Sequence, residues 1–145
     1  MFFEEFEIGQ EFTTRERTIT GSDIDLFAAL TWAANPLFLS DDHAKTKGFN
    51  SRIAPGALVF SYAVGLLYQS GLFDHITALA AVDKLNFKSS TSPGDAIKAI
   101  ARVVEKKETS SQQKGLVRFA VECVNVTRQT TAFTAEMLFV ILRKP

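Results

Sequence analysis

Three places in this sequence combine acidic side chains and histidines, or a carboxylate in an apolar setting, in a way that could serve proton transfer. Residues 41–43 read Asp-Asp-His, residues 74–75 read Asp-His, and Asp83 stands alone in an otherwise apolar segment. A carboxylate or an imidazole held beside a substrate can act as a general acid or base. These three places are therefore the first candidates for a catalytic site.

Asp41 also has a structural interpretation. It follows Leu39 and Ser40, and a serine followed by acidic residues is typical of the capped first turn of a helix. The sequence predicts a short helix here that continues to Lys47. In that case the carboxylates are solvated groups that stabilise the helix N-terminus.

Asp83 and His75 have structural alternatives as well. Asp83 falls on the strand face that Leu79, Leu85 and other apolar residues share. A carboxylate there needs a partner, such as an arginine or a second subunit, or a place at the sheet edge. We expect an ion pair or an edge position as the alternative to a catalytic role, and we expect His75 in a surface connection.

The composition excludes several other kinds of site. The chain has 145 residues, 46% hydrophobic and 22% charged, which fits a single domain (residues 1–145) with a substantial core. Its 16 basic and 16 acidic side chains cancel, so it lacks the positive field that nucleic acid binding requires. The two histidines lack metal-ligand spacing, and no glycine-rich phosphate loop occurs. We expect no metal, no cofactor and no nucleic acid partner.

Cys123 is the only cysteine and lies in an alternating apolar run, which predicts a buried thiol. A disulfide within the chain is excluded, which is typical of a reducing compartment. The acidic N-terminal residues lack the features of a signal peptide. The most apolar window, from Ile53 to Tyr68, is shorter than the roughly 20 residues of a membrane span. We therefore expect a cytoplasmic protein with no membrane span.

The residues from Ala57 to Tyr68 predict a long central helix. Apolar side chains cover every direction of its helical wheel, so the sequence predicts that protein surrounds it. Pro55 and Gly56 are suited to its start, and Gly71 to its end.

Downstream, the apolar residues alternate, which predicts strands with one buried face. A weaker strand candidate runs from Phe12 to Ile19. A curved sheet that wraps the helix would bury both the apolar helix and the one apolar face of the antiparallel sheet. A flatter two-layer sandwich fits the same pattern. The alternating segments are Leu79-Ala81 with Leu85-Phe87, Ile97-Ala99-Ala101-Val103, Val117-Phe119-Val121-Cys123 and Phe133-Ala135-Met137-Phe139-Ile141.

Several short motifs follow one another in a characteristic order. They are Phe-Glu-Ile-Gly-Gln at 6–10, Ile-Thr-Gly-Ser-Asp-Ile at 19–24, Asn-Pro-Leu at 35–37, Ile-Ala-Pro-Gly at 53–56, Leu-Asn-Phe-Lys at 85–88 and Pro-Gly-Asp at 93–95. In these motifs the chain resembles the MaoC-like dehydratases and (R)-specific enoyl-CoA hydratases. The resemblance implies an α+β hot-dog fold, in which a curved antiparallel sheet wraps a long central helix from about Gly56 to Leu72.

The resemblance also implies where catalysis should occur. Active members carry an aspartate two residues before the Asn-Pro and a histidine after the Pro-Leu, and these two side chains orient and activate water. Here the two positions are Ala33 and Phe38. Neither side chain can transfer a proton, so the usual acid–base pair is absent.

The resemblance implies that the substrate-binding part of the site remains. Asn35 belongs to the family's turn, and the N–H of Gly56 would hold a thioester carbonyl at the positive end of the helix dipole. Alternatively, Gly56 only permits a tight turn. Ser61 faces the pocket or bonds to its own helix backbone. Trp32 and Phe38 form an aromatic pocket or are ordinary core residues.

Three functions remain open. The first is a dehydratase or enoyl-CoA hydratase with a lost or altered catalytic pair. The second is a hot-dog thioesterase in which Asp83 or Asp41 directs water onto the thioester, and the third is a non-catalytic acyl-CoA- or lipid-binding subunit. The ligand in each case is an acyl-CoA or acyl-carrier thioester. The resemblance implies a homodimer, or a pair with an active homologue.

Overall fold

Four helices and six strands make up the chain, which the computed structural model describes over residues 1–145. The helices are α1 (Gly21–Thr31), α2 (Pro36–Leu39), α3 (Asp41–Thr46) and α4 (Gly56–Gln69), and a 3₁₀ turn lies at Phe3–Glu5. The strands are β1 (Glu11–Thr13), β2 (Arg17–Thr18), β3 (Ile76–Phe87), β4 (Ala96–Glu108), β5 (Lys114–Asn125) and β6 (Thr130–Leu142).

All six strands belong to one antiparallel sheet. Its order is β1-β4-β5-β6-β3, and β2 also pairs with β4. The long strands β4, β5 and β6 lie at the centre, and β3 forms a free edge. The buried side chains of α4 and of one sheet face form a single apolar cluster. The predicted α+β architecture, with an antiparallel sheet packed around a central helix, is confirmed.

The three central strands alternate as the sequence predicts. Every second side chain is buried against α4, while the intervening side chains lie on the outer face of the sheet. Each predicted set is found on the buried face. These sets are Ile97, Ala99, Ala101 and Val103 in β4, Val117, Phe119, Val121 and Cys123 in β5, and Phe133, Ala135, Met137, Phe139 and Ile141 in β6.

The central helix α4 differs from the prediction in two respects. It ends at Gln69 rather than at Leu72, because the chain turns where the Ser70 hydroxyl donates to the Leu67 carbonyl and Gly71 adopts a φ of +78°. It is also not enclosed on every side. One stripe of the helix is exposed, and no helix of the protein is long and apolar enough to cross a lipid bilayer. The exposed stripe contains Ala57, Ser61, Gly65 and Tyr68.

The edge strand β3 does not have the single apolar face that its sequence suggests. Its pairing with β6 is interrupted by three register shifts, and each shift changes which side chains face inwards. Phe87 pairs with the buried Phe133, whereas Asp83 pairs with Glu136 on the outer face. The prediction that Asp83 shares the face of Leu79 and Phe87 is therefore wrong.

The predicted strand from Phe12 to Ile19 is divided into β1 and β2. At Thr14 the side chain replaces a backbone carbonyl as the acceptor in the pairing with β4. Its hydroxyl accepts a hydrogen bond from the Ala99 N–H at 2.9 Å. The Thr14 N–H donates to the Ala99 carbonyl at 2.9 Å. The two short strands therefore cover the free side of β4 in two pieces.

Candidate functional site

A cavity of about 530 Å³ opens at the N-terminal end of α4. Its wall comes from three parts of the chain: the segment before α4 with the first turn of α4, the end of β3 with the residues that follow it, and one residue of β6. Lys88 is the only titratable side chain in this wall. We call it the α4 cavity, and its lining residues are Phe49, Ile53, Ala54, Gly56, Ala57, Val59, Phe87, Lys88, Ser89, Ser90, Thr91 and Ala132.

The first two N–H groups of α4 are free donors in this wall. Pro55 precedes the helix and supplies no side-chain cap, although its carbonyl accepts from the N–H groups of Leu58 and Val59. The N–H groups of Gly56 and Ala57 donate to no acceptor within the chain. They lie at the positive end of the helix dipole, where they can stabilise a carbonyl oxygen or an oxyanion.

Phe87 closes one side of the α4 cavity. Its ring lies directly against Gly56, since a Cβ placed on Gly56 would come within 2.9 Å of two ring atoms. The ring also packs edge-on against Phe133 at a centroid distance of 6.0 Å. Because Gly56 has no side chain, the Phe87 ring can approach it closely, and nothing from residue 56 covers the N-terminus of the helix.

The part of the wall that follows β3 contains a run of hydroxyl side chains. The Thr91 carbonyl accepts a hydrogen bond from the Ala54 N–H at 2.7 Å, which fixes this run beside the start of α4. The Ser89 hydroxyl donates to the Thr131 carbonyl at 2.6 Å. Thr91 is only 2% exposed, and its hydroxyl has no hydrogen-bond partner in the protein.

The two positions that the resemblance assigns to the acid–base pair, Ala33 and Phe38, carry no polar side chain. Ala33 is half-buried just after α1, and Phe38 is half-buried in α2, where its ring packs against the core. The Ile53 N–H donates to the Leu37 carbonyl at 3.4 Å, so α2 lies beside the segment that leads into α4. Neither Ala33 nor Phe38 lines the α4 cavity, and no carboxylate or imidazole lines it either.

The family model described as MaoC like domain matches residues 4–125. The chain belongs to the MaoC-like dehydratase family. This MaoC-like domain is 32% identical over 102 residues to an (R)-specific enoyl-CoA hydratase of Rhodospirillum rubrum, a match that covers 70% of this chain and 69% of the relative.

Solved structures agree with this assignment. A monoamine oxidase regulatory protein from Archaeoglobus fulgius matches the MaoC-like domain with a TM-score of 0.91 and 32% identity, over 100% of this chain and 96% of that one. A Mycobacterium tuberculosis protein with a double hot-dog fold matches with a TM-score of 0.88 and 20% identity, over 100% of this chain and 45% of that one. The hot-dog fold of the MaoC-like domain is therefore confirmed.

Three further residues expected in the binding site of the MaoC-like domain have other contacts. Asn35 caps α2, since its Oδ1 accepts from the Leu37 N–H at 2.9 Å. Ser61 donates to the Ala57 carbonyl at 2.8 Å on the exposed stripe of α4, as its structural alternative predicts. Trp32 is 91% exposed with a φ of +62° after α1 and does not line the α4 cavity, so neither of its two alternatives, an aromatic pocket residue or a core residue, is observed in the chain.

The candidate carboxylates of the MaoC-like domain lie outside the α4 cavity. Asp41 is in the first turn of α3, where Ser40 forms the cap, and its Oδ1 accepts from the Arg52 N–H at 2.9 Å. Asp83 pairs with Arg118 at 2.7 Å on the outer face of the sheet. Asp41 therefore lies in a capped helix turn and Asp83 in an ion pair, which are the structural alternatives to a catalytic role.

His75 also has a structural contact, with an aromatic ring of the N-terminal segment. Its ring stacks on Phe2 with a centroid distance of 3.8 Å, in the connection between α4 and β3. It does not line the α4 cavity.

Thr91 is one of the cavity residues that the sequence did not indicate. The turn at residues 92–95 was evident, but the hydroxyl residues before it look like part of the same polar connection. A signal was present, because residues 89–92 form an unbroken run of serine and threonine directly after the apolar end of β3. Only the tertiary structure shows that one of these hydroxyls is buried without a partner.

Proposed function

We propose that this MaoC-like domain binds an acyl thioester, such as acyl-CoA, in the α4 cavity and holds its carbonyl with the N–H groups of Gly56 and Ala57. The observation that carries the proposal is this pair of free donors at the positive end of α4, inside a cavity of about 530 Å³. The similarity to a protein named (R)-specific enoyl-CoA hydratase supports an acyl-CoA ligand. The proposed site needs no further cofactor.

We propose further that binding occurs without hydration by the usual pair of side chains. Ala33 and Phe38 cannot transfer protons, and the only titratable side chain in the wall of the cavity is Lys88. The thioesterase alternative has less support, because Asp83 and Asp41 do not line the cavity and contact other groups. A ligand-binding domain of dehydratase type is the function that these contacts support best.

Calorimetric titration with crotonyl-CoA and with free CoA tests the binding proposal. We expect saturable binding of crotonyl-CoA and weaker binding of CoA, because only the thioester carries the carbonyl that the helix terminus would hold. The enoyl absorbance of crotonyl-CoA should not decrease above the buffer rate. Absence of binding would overturn the proposal, and loss of absorbance would show that another group supplies the proton transfer.

We propose that the functional unit is a homodimer joined at the edge strand β3. This strand is 12 residues long and has no neighbour on one side, so it offers a row of unpaired backbone groups. Apolar side chains on it are exposed, among them Val82, Leu85 and Phe87. A second copy of the chain can pair with the same edge by two-fold symmetry.

Sedimentation velocity of the wild type and of Leu85→Lys tests the dimer. We expect a dimer for the wild type and a shift towards monomer for Leu85→Lys, because a charge on an edge strand opposes pairing. Ile8→Lys is the matched control, since Ile8 is also exposed but lies beside Gly9, whose N–H donates to Val103 of β4. A monomeric wild type would contradict the proposal.

A cytoplasmic location is part of the same proposal. Cys123 is buried and free, which supports a protein that needs no oxidising compartment. Fractionation of cells that express the protein tests the location, and recovery in a secreted fraction would exclude it.

A further inference from the structure

The connection between α3 and α4, residues 47–55, forms part of the wall of the α4 cavity but contains no helix or strand. Phe49, Ile53 and Ala54 are its lining residues. A segment without regular structure depends on individual hydrogen bonds and side-chain contacts for its position. The position of this part of the wall therefore depends on the contacts that the α3–α4 connection makes.

Arg52 joins the α3–α4 connection to two helices. Its Nη1 donates to Oδ1 of Asp25 in α1 at 2.7 Å, and its backbone N–H donates to Oδ1 of Asp41 in α3 at 2.9 Å. The Arg52 side chain is 19% exposed, so most of it lies against protein. Arg52 does not itself line the α4 cavity.

The guanidinium of Arg52 also lies against the first residue of α1. Gly21 leaves the room for it, because a Cβ placed on Gly21 would collide with Nη2 of Arg52. Alanine favours a helix more than glycine does. The glycine at the start of α1 is therefore explained by its contact with Arg52 rather than by the helix.

The two residues that follow Arg52 lie in the cavity wall. The Ile53 N–H donates to the Leu37 carbonyl at 3.4 Å, which is long for such a bond, and the Ala54 N–H donates to the Thr91 carbonyl at 2.7 Å. The α4 helix begins two residues after Ala54. A shift of Arg52 would therefore move both the wall and the helix terminus that carries the free N–H donors.

We propose that Arg52 is a positioning residue of the α4 cavity, which holds the α3–α4 connection in the conformation that binds the ligand without contacting the ligand itself. The inference rests on the proposed function, in which this cavity binds an acyl thioester. A wall that is fixed before the ligand arrives lowers the entropic cost of binding. The Asp25 side chain is 58% exposed, so its ion pair with Arg52 contributes little to overall stability. The effect of Arg52 is therefore on the affinity for the ligand.

Calorimetric titration of Arg52→Ala with crotonyl-CoA tests this inference. The variant should bind about three- to tenfold more weakly than the wild type, the size expected when a side chain of the wall must be ordered on binding. Asp25→Ala removes the same ion pair from the other side and should also weaken binding. Asp42→Ala is the matched control, because Asp42 is an exposed acidic residue in the first turn of α3, and it should bind like the wild type.

Gly21→Ala tests the same contact without removing a charge. Its methyl group should displace the Arg52 guanidinium and weaken binding when Arg52 is present, but it should have no effect in the Arg52→Ala background. An equal change in both backgrounds would overturn the positioning role of Arg52.

Hydrogen exchange of backbone amides, measured without ligand, is a second readout. Arg52→Ala should speed the exchange of the Ile53 and Ala54 amides and leave the amides of β5 unchanged, because only the α3–α4 connection opens more easily. Faster exchange in β5 as well would show a loss of overall stability, and unchanged exchange at Ile53 and Ala54 would show that Arg52 does not hold the wall. Either result would contradict the inference.

The outcomes separate this inference from the proposed function. If the wild type and Arg52→Ala bind crotonyl-CoA equally well, the role of Arg52 is overturned while the proposed function stands. If the wild type does not bind crotonyl-CoA, the proposed function itself is overturned, and this inference with it.

Discussion

The ring of Phe87, the last residue of β3, lies against Gly56, the first residue of α4. A methyl group on Gly56 would come within 2.9 Å of this ring, which is closer than real Cβ contacts. The contact places an aromatic wall next to the two free N–H groups of the helix. A glycine at this position therefore serves both the packing of the sheet edge and the access to the helix terminus.

Gly56→Ala should weaken the binding of crotonyl-CoA by about tenfold or more, because the new methyl group displaces the Phe87 ring into the cavity. Calorimetric titration measures the change. Gly65→Ala is the matched control, since a Cβ there meets nothing within 4 Å on the exposed stripe of α4.

The control should leave the affinity unchanged and raise the free energy of unfolding by about 0.5–1 kcal/mol, because alanine restricts the unfolded chain more than glycine does. Equal losses of affinity in both variants would show that the helix as a whole is perturbed, which would contradict a local role for Gly56.

Ala33→Asp combined with Phe38→His should create hydratase activity towards crotonyl-CoA. Phe38 lies in α2, which is held beside the approach to α4, and Ala33 lies in the connection just before α2, so the two substitutions place titratable groups at the positions that the resemblance assigns to the acid and the base. General acid–base groups contribute roughly 10²–10⁴-fold to such reactions. Loss of enoyl absorbance measures the gain. Ala33→Asn with Phe38→Gln is the control without titratable groups, and activity in that control would argue against acid–base restoration.

Asp95 should matter far more for stability than Asp83, although both pair with an arginine. The Asp95 side chain is 7% exposed and lies 2.9 Å from Arg128, and it also accepts hydrogen bonds from the Ser92 N–H and from Asn125. Replacing one partner of a buried charge network costs about 3–5 kcal/mol. Asp95→Ala should therefore lower the free energy of unfolding in urea by that amount.

Asp83→Ala is the matched comparison. The Asp83 side chain is 49% exposed, and an exposed ion pair contributes roughly 0.2–1 kcal/mol. Similar losses for Asp83→Ala and Asp95→Ala would contradict the assignment of Asp95 to a buried network.

Cys123 should be unreactive in the folded protein. Burial and the neighbouring charge of Glu122 raise the pKa of its thiol to about 12, and only the thiolate is nucleophilic. Iodoacetamide at pH 8 should label Cys123 only after unfolding, as seen by mass spectrometry. Ser61→Cys provides an exposed thiol on α4 as a control that should react at once. Rapid labelling of native Cys123 would show that β5 opens easily.

Asp23 should make stability depend on pH in the acid range. Burial alone would raise the pKa of its carboxyl, but hydrogen bonds from the Thr20 N–H and the Tyr62 hydroxyl outweigh burial, so the pKa lies below its usual 3.8. Because the folded pKa is lowered, the stabilisation is complete above the unfolded value and is lost as the pH falls through the folded one. Urea unfolding between pH 6 and about pH 2.5 should show this decrease. Asp23→Asn should reduce it, and an identical pH profile would contradict the assignment.

The architecture was predictable from the sequence because it depends on local patterns. The alternation in β4, β5 and β6 marks the buried face directly, and Pro55 and Gly56 mark the start of α4. The assignment of Ala33 and Phe38 to the acid–base positions comes from the resemblance and stays a prediction.

The remaining features depend on contacts that no local pattern contains. The register shifts of β3 reverse the direction of Asp83, and an alternating sequence does not reveal where such shifts occur. The exposed stripe of α4 consists largely of small residues that look buried on a helical wheel. A threonine before a turn is common, so the sequence does not single out Thr91. Only the structure shows that it lines the α4 cavity with Gly56 and that its hydroxyl is buried without a partner.

Phe87 belongs to two surfaces at once, the wall of the α4 cavity and the free edge of the sheet. A chain that adds a strand to β3 would restrict the half-exposed ring, and a ligand that pushes the ring aside would change the edge that the added strand meets. By thermodynamic linkage each event must alter the other's equilibrium constant by the same factor. Self-association of this protein should therefore depend on the ligand concentration. The apparent affinity for the ligand should in turn depend on the protein concentration.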